Sequence, residues 1–566
     1  MSSIYEERPW LAQYNPGVPA DVDIPTNKSV TDYFYAACEK WKNNTALVFY
    51  GNKISYKELR ENVDRLATAL TALGIKKGDR IGFLLLNSPE FIISLYAVAR
   101  IGAISTPISP VYVSSEIKHQ LSDSGAEHII CQDILYEGLV KTGVKLKNII
   151  LTNIAESLPK FKKIMGKSIL RGVYQKMAAP APEIFEGEGI YKFQDLLAKH
   201  PPNPPQVAIN PREDLYNLPY TGGTTGKPKG VMITHYNVIA NFLQGEAVLP
   251  VIGEGPKQVT MGFMPFYHGA GASALTGDLF RGNTVIVVTT PDLDEIISDM
   301  VKYEVNFFGG APTMYEMLKD YEKTDRVNWK KMKVLTCGAD SLHENTARDW
   351  EERTESKITE GYGMTETTAM THFNPMGKER YGSIGVPASS TYAAILDPDK
   401  DEYMPVGEIG EIVVEGPQMT SGYWQRPDAT KDCESIINGH RWWRTGDLGY
   451  MKEDGYFSVY DRKRDLIKYK GLRVYAREVE EVLKEHPHIK EVGVVGEPDP
   501  LVGSNVKAVI VLEGDARGKT SERDIIEYCK DKMAAYKIPK IIEFVGEIPK
   551  TDIGKVSRRE IRTQED

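Results

Sequence analysis

From Thr45 onward, short β-branched runs alternate with amphipathic stretches of helical period, and this alternation restricts the available folds more than any other feature. ALVFYGNKISY reads as a hairpin closed by Gly51-Asn52. YKELRENVDRLATALTALG then reads as an amphipathic helix ending at Gly74. The runs RIGFLLL, AISTPIS and EHIICQD each adjoin a further helical stretch. Strands interleaved with helices in this way imply a parallel sheet in an α/β fold.

A second series of strands and helices runs from Val259 to about Leu396. EIGEIVVEGPQMTSGYW follows, dense in glycine and β-branched residues, as in a small antiparallel barrel or sheet. DGYFSVYDRKRDLIKYKG leads into the helical REVEEVLKEH, two short strands (EVGVVGE and VKAVIVLE) and a helix around Ile525 to Met533. The chain has 566 residues, too many for one core, so several domains are expected. The boundary falls near Asp461, giving a large domain over 1–460 and a smaller α+β domain over 461–566.

A net charge of −9 argues against nucleic acid as a partner, which usually calls for a strongly basic domain. Five cysteines, at 38, 131, 337, 433 and 529, form no CxxC pair, so they read as reduced thiols rather than a zinc site or disulfide framework. MSSIYEERPWLAQYNPGVP has early acidic residues and no apolar core, so no signal peptide is expected there. Apolar runs such as Ile81 to Leu86 are too short to span a bilayer, and a cytoplasmic protein is expected. LPKFKKIMGKSILRGVYQKM, 158–177, carries six basic residues and no acidic one. It reads as a surface helix or loop insertion; the alternative is peripheral contact with a membrane surface. Pro-rich chain at Ala179–Pro182 and Pro201–Pro205 looks like linker.

YTGGTTGKPKGV, Tyr220 to Val231, sets four glycines, three threonines and two lysines between a strand and a helix beginning near Thr234. Glycines let backbone N–H groups curl around phosphate oxygens, hydroxyls add donors, and lysine adds charge. Thr221, Gly222, Gly223, Thr224, Thr225, Gly226, Lys227 and Lys229 are therefore the candidate phosphate binders. A Walker A loop fails at two positions: Pro228 follows Lys227, and Thr221 stands five before Gly226.

With this loop the sequence resembles the adenylate-forming superfamily of acyl-CoA synthetases, luciferases and peptide-synthetase adenylation domains, and the match recurs in order along most of the chain. EGYGMTETT, within which Glu360, Gly361, Tyr362, Gly363, Thr365 and Glu366 are singled out, looks like the family's second nucleotide motif. Tyr362 offers a face for adenine, Thr365 a hydroxyl for the α-phosphate, and Glu366 a hard oxygen ligand for Mg²⁺. WWRTGDLG matches the ribose-binding strand, with Asp447 for the vicinal hydroxyls and Arg462 for ribose or phosphate. The resemblance places a hinge at Asp461, about which the C-terminal domain rotates between two half-reactions.

KYKGLRVYAREVE resembles the loop that reaches the active site during thioester formation, so Lys470 and Gly471 are assigned to CoA; Ala476 stands where proline is common. PKTDIGKVSRREI matches the C-terminal catalytic motif, whose Lys555 would bridge substrate carboxylate and α-phosphate; Ile553 replaces a small polar residue. MPFYHGAG supplies His268 at the acid pocket, and FFGGAPTMYEML supplies Gly310 and Thr313 to its wall. Gly338, Ala339 and Asp340 of CGADSL would back the adenine ring. RPWLAQYNPGVPADV and the glycine at 222 pull the reading toward fatty acyl-CoA synthetases.

The resemblance implies an ATP-dependent ligase with Mg²⁺ as cofactor, ATP and coenzyme A as co-substrates, and a fatty acid as the acid. Many members of the family are dimers. An aryl or branched acid, or a carrier protein as acceptor, is the alternative. A catalytically silent nucleotide-binding protein would lack one of Glu366, Asp447, Arg462 and Lys555, and all four are present.

Overall fold

A computed structural model describes residues 4–159, 187–221, 227–249, 258–340, 342–514, 516, 518–550 and 556–563. The chain divides into two compact units. One holds Met1–Tyr392, Val414–Glu434 and Asp454–Tyr456; the other holds Ala393–Val413, Ser435–Glu453 and Phe457–Asp566.

The first unit is built on two sheets of the expected parallel kind. In one, Arg80–Leu84 lies between Ile104–Pro107 and His128–Gln132, with Asn148–Thr152 and Ile190–Lys192 continuing the parallel order. Arg80–Leu84, Ile104–Pro107 and His128–Gln132 are buried almost without a break, as strands covered on both faces must be. In the other sheet, Thr284–Val287, Val259–Gly262, Phe307–Gly310, Val334–Cys337 and Thr359–Gly363 run parallel, and Met370–Phe373 and Val386–Pro387 extend it antiparallel.

The hairpin Thr45–Phe49 and Asn52–Ser55 forms as read, but it joins this second sheet, alongside Thr284–Val287. Its turn residues are Tyr50 and Gly51, both at positive φ, 48° and 90°, rather than Gly51 and Asn52. Two left-handed residues make the turn whose twist matches the flanking strands. The helix Tyr56–Ala72 stops at Gly74 (φ 83°) with Ile75 N–H donating to Leu70 C=O, the left-handed stop the glycine signalled.

An aromatic group fills the core of the second sheet: Phe308, Tyr315, Trp329 and Trp350 meet edge to face at centroid distances of 4.6–5.8 Å. This packing fixes the carboxyl ends of Phe307–Gly310, Val334–Cys337 and Thr359–Gly363, the edge at which open α/β sheets bind ligands.

Most of a sheet of Tyr392–Leu396, Gly410–Glu415, His440–Met451 and Glu434–Ile437 falls within the second unit, with Phe457–Arg462 antiparallel to His440–Met451. It also contains the sheet Leu472–Tyr475, Leu466–Tyr469, Gly503–Leu512 and Ile489–Asp499, joined by Ile541–Phe544. Helices Ala476–Lys484 and Glu522–Lys530 bury Val479, Leu483, Ile525 and Cys529 in a common apolar core with this sheet. Among the described residues no helix is long and apolar enough to cross a membrane. Residues 160–177 of the basic stretch and Ala179–Pro182 lie outside the described residues.

Candidate active site

In the first unit the phosphate loop springs from a short antiparallel pair, Tyr220–Thr221 with Lys229–Gly230. Both feet are pinned to the helix Ser114–Ser124. The Tyr220 hydroxyl donates to Asp123 Oδ2 at 2.8 Å, and His119 Nε2 is 2.9 Å from the Pro228 carbonyl. Gly222, Gly223, Thr224, Thr225 and Gly226 lie outside the described residues; Lys227 is exposed. Val231 N–H donates to Pro219 C=O, and Met232 N–H to Gly422 C=O, so Tyr423 is brought against the base of the loop.

Glu366 faces that base. Its carboxylate is 5% exposed, and Oε1 accepts the Tyr423 hydroxyl at 2.7 Å and the Thr221 hydroxyl at 3.5 Å. Lys229 Nζ sits 5.0 Å from the centroid of the Tyr423 ring, a cation held over a π face. Burial, and next the Glu366 charge, drive the Tyr423 pKa far above its ordinary value, so Tyr423 stays a donor. Tyr423 carried no recognisable motif, and only its place between Gly422 and Trp424, in the glycine-rich stretch after 410, hints at a tight backbone approach.

Thr365 and Glu366 occupy a 3₁₀ turn, Thr365–Thr367, tied down from several sides. Thr420 N–H donates to the Glu366 carbonyl at 2.8 Å. The Thr368 hydroxyl donates to the Gln418 carbonyl at 2.8 Å, and Asn241 Nδ2 to the Met370 carbonyl at 2.8 Å. Thr368 itself has φ 63° and ψ −49°, a conformation that costs on the order of 1–3 kcal/mol and persists only where neighbours impose it.

The carboxyl ends of three successive parallel strands bring the remaining candidates of this unit together. Gly310 pairs with Cys337, and Cys337 with Glu360. Gly338 N–H donates to Gly310 C=O at 3.1 Å, and a Cβ on Gly338 would lie 3.2 Å from the Gly361 carbonyl. Ala339 is left-handed (φ 67°), Asp340 follows it, and Leu342 N–H reaches Glu360 Oε1 at 3.3 Å. The Tyr362 ring meets His372 edge-on at 5.7 Å. Burial lowers the His372 pKa to about 3, so this histidine is neutral. Gly363 is enforced by packing: a Cβ there would fall 1.4 Å from the Ala369 carbonyl.

His268 is the N-cap of the helix Gly269–Arg281, with Nδ1 accepting Ala270 N–H at 3.4 Å. Its ring touches solvent, yet the surrounding protein atoms hold its pKa below the ordinary histidine value. A Cβ on the next residue, Gly269, would be 3.9 Å from Thr365 Oγ1, so the His268 turn abuts the nucleotide motif. Gly310 is walled by Phe263, Met314 and Tyr315, at 3.3–3.4 Å from a notional Cβ, while Thr313 is exposed on the first turn of Pro312–Asp320.

In the second unit Asp447 and Arg462 are direct cross-strand partners. Arg462 Nε lies 2.8 Å from Asp447 Oδ1, with the carboxylate buried and the guanidinium half exposed. Asp461, next along, is 4% exposed. Its Oδ1 accepts Arg462 N–H at 2.8 Å, and its Oδ2 accepts Arg477 N–H at 2.9 Å at the start of helix Ala476–Lys484. Lys470 and Gly471 form a two-residue turn with φ of 50° and 79° between paired Tyr469 and Leu472, and Lys470 N–H donates to Val502 C=O at 2.7 Å. Lys555 lies outside the described residues.

The arrangement around Glu366, with a loop base, a buried carboxylate and a cation, suits binding and turnover of a polyphosphate. The profile of the AMP-binding enzyme family matches residues 34–424, and that of the AMP-binding enzyme C-terminal domain matches 478–555. A long-chain-fatty-acid–CoA ligase of Bacillus subtilis is 35% identical over 99% of this chain and 98% of its own length. One from Escherichia coli O6:H1 is 31% identical over 98% of each. The structure of ATP-bound MatB from Rhodopseudomonas palustris superposes with a TM-score of 0.79 at 26% identity, covering 95% of this chain and 99% of that one. With both profiles matched in order and relatives aligned end to end, the chain belongs to the AMP-binding enzyme family.

Proposed function

We propose that this chain is an ATP-dependent ligase that converts a fatty acid to its acyl-adenylate and then to acyl-CoA, releasing AMP and pyrophosphate. The observation that carries this reading is the buried Glu366 carboxylate set against Thr221 at the base of the phosphate loop. Full-length likeness to ligases named for long-chain fatty acids and CoA supplies the acid and the acceptor.

In the first half-reaction a carboxylate oxygen attacks the α-phosphorus and the bond to pyrophosphate breaks. The acid is already a nucleophile, so the protein's task is alignment and charge. Thr221 to Gly226, Lys227 and Lys229 cradle the phosphates, and Thr365 donates to the α-phosphate. Glu360, Gly361, Tyr362 and Gly363, with Gly338, Ala339 and Asp340, frame adenine. Asp447 and Arg462 hold the ribose. His268, Gly310 and Thr313 line the acyl pocket, and Lys555 spans carboxylate and α-phosphate.

Mg²⁺ suits this donor set. Mg²⁺ is usually held by one or two carboxylates, with phosphates and water completing the shell. Glu366 would be that carboxylate. When bound, Mg²⁺ offsets the negative charge that builds on the phosphates.

In the second half-reaction the domain spanning 461–566 turns about Asp461, Lys470 and Gly471 guide CoA, and its thiol, losing its proton, attacks the acyl carbon to expel AMP. The enzyme is cytoplasmic in this reading, its 158–177 segment is a surface insertion with peripheral membrane contact as the alternative, and a homodimer is one assembly open to it. The test is Lys555→Ala: ATP–pyrophosphate exchange should collapse while thioester formation from supplied acyl-adenylate persists. Equal loss of both would overturn the assignment.

A further inference from the structure

Arg558 lies beyond the groups assigned above, yet it gathers three carboxylates from distant parts of the second unit. Nε and Nη2 donate to both oxygens of Glu480 at 2.9 and 2.6 Å, and Nη1 donates to Asp461 Oδ1 and Asp465 Oδ2, each at 3.0 Å. The Arg558 side chain is 16% exposed, and those of Asp461, Asp465 and Glu480 are 1%, 5% and 9% exposed. Arg562 Nη2 adds a second cation on Asp465 Oδ1 at 2.7 Å. A planar guanidinium can serve three carboxylates at once because its donors diverge in a fixed fork, which an ammonium cannot imitate.

The network leaves Asp461 little freedom. One oxygen takes Arg558 and Arg462 N–H, and the other caps the helix Ala476–Lys484 through Arg477 N–H. A large change in the Asp461 ψ torsion, which turns the chain beyond it against the side chain, must therefore release or re-form a charge-assisted hydrogen bond to Arg558, on top of the helix cap. The Glu480 carboxylate, gripped by the same guanidinium, also accepts Val494 N–H at 2.8 Å, so the grip extends into the strand Ile489–Asp499.

We propose that Arg558 is the positioning residue of the Asp461 hinge: its bond to Asp461 holds one of the two hinge states and so sets the balance between adenylation and thioester formation. This rests on Asp461 being the hinge. Removing a charge-assisted bond made in only one state shifts a two-state balance by about ten-fold or more.

The experiment measures both half-reactions, ATP–pyrophosphate exchange and thioester formation from supplied acyl-adenylate, in Arg558→Gln and Arg558→Lys. The expected result is a change of about ten-fold or more in the ratio of the two rates, with KM for ATP and fatty acid unmoved. The lysine variant keeps the charge without the fork, shifts the ratio in the same sense by less, and carries the test if the glutamine variant fails to fold. Two rates that fall together, or do not change, at wild-type Tm would overturn the proposal. Asp461→Pro, which restricts the hinge backbone and removes the carboxylate as well, separates the two readings. A split of the half-reactions in Asp461→Pro without one in the Arg558 variants sinks only the role of Arg558; no split in Asp461→Pro sinks the hinge itself.

Discussion

The Tyr423 hydroxyl donates to Glu366 Oε1 at 2.7 Å, joining residues 57 positions apart at the base of the phosphate loop. Lys229 lies over the same tyrosine ring. One aromatic side chain thus orients the carboxylate proposed for Mg²⁺ and steadies a lysine proposed for phosphate. A buried carboxylate without a donor is both costly and free to turn.

Tyr423→Phe keeps the ring under Lys229 and removes only the hydroxyl. Loss of a hydrogen bond to a charged group is worth about 1.5–3 kcal/mol, so ATP–pyrophosphate exchange should fall roughly ten-fold or more at fixed Mg²⁺. The Mg²⁺ concentration for half-maximal rate should rise. A Mg²⁺ titration superimposable on that of the wild type would separate Tyr423 from the metal.

Asp447 engages Arg462 across the sheet, and a ribose held there, as proposed, would share that carboxylate. Asp447→Ala should raise KM for ATP by about 10–100-fold, the value of a charged hydrogen bond, and leave KM for the fatty acid unchanged. It should also abolish the preference for ATP over its 2′- or 3′-deoxy analogues. If the variant discriminates against those analogues as sharply as the wild type, Asp447 does not hold the ribose.

The sequence carries the fold more fully than it carries the site, and the reason is local range. Buried parallel strands announce themselves because both faces are apolar, so Arg80–Leu84 and His128–Gln132 are readable from a few residues. Gly74 likewise declares the end of its helix. The hairpin at Thr45 was legible as a hairpin, but its membership of the sheet around Thr284–Val287 depends on contacts more than two hundred residues away. Gly363 was read as a nucleotide-motif residue, and the structure adds a second reason for it, the Ala369 carbonyl against its Cα. Asp447 and Arg462 were each assigned to the nucleotide through the family resemblance, and the strand register adds that they are cross-strand partners. Tyr423 and Arg558 were missed because each acts through partners far along the chain and neither residue type stands out in a glycine-rich or basic stretch.

Glu90 gives a pH signature to stability. It is 1% exposed in the helix Pro89–Arg100, with Oε1 accepting the Ser157 hydroxyl and no hydrogen-bond donor on Oε2 among the described residues. Burial raises its pKa from 4.5 to about 7. Between those values the folded chain holds the proton more tightly than the unfolded chain, so this group's contribution declines as pH rises, by up to about 1.4 kcal/mol per pH unit. Glu90→Gln removes the decline. Its Tm relative to wild type should therefore be higher at pH 8 than at pH 4.5, and a difference that is the same at both pH values would contradict a buried, protonated Glu90.

The most direct test of the ligase reading is product analysis with Mg·ATP and a panel of short, medium, long and aryl carboxylates, each with and without CoA. AMP and pyrophosphate should form with fatty acids, with sustained turnover only when CoA is present. ADP as product, or no product that depends on the carboxylate, would contradict it.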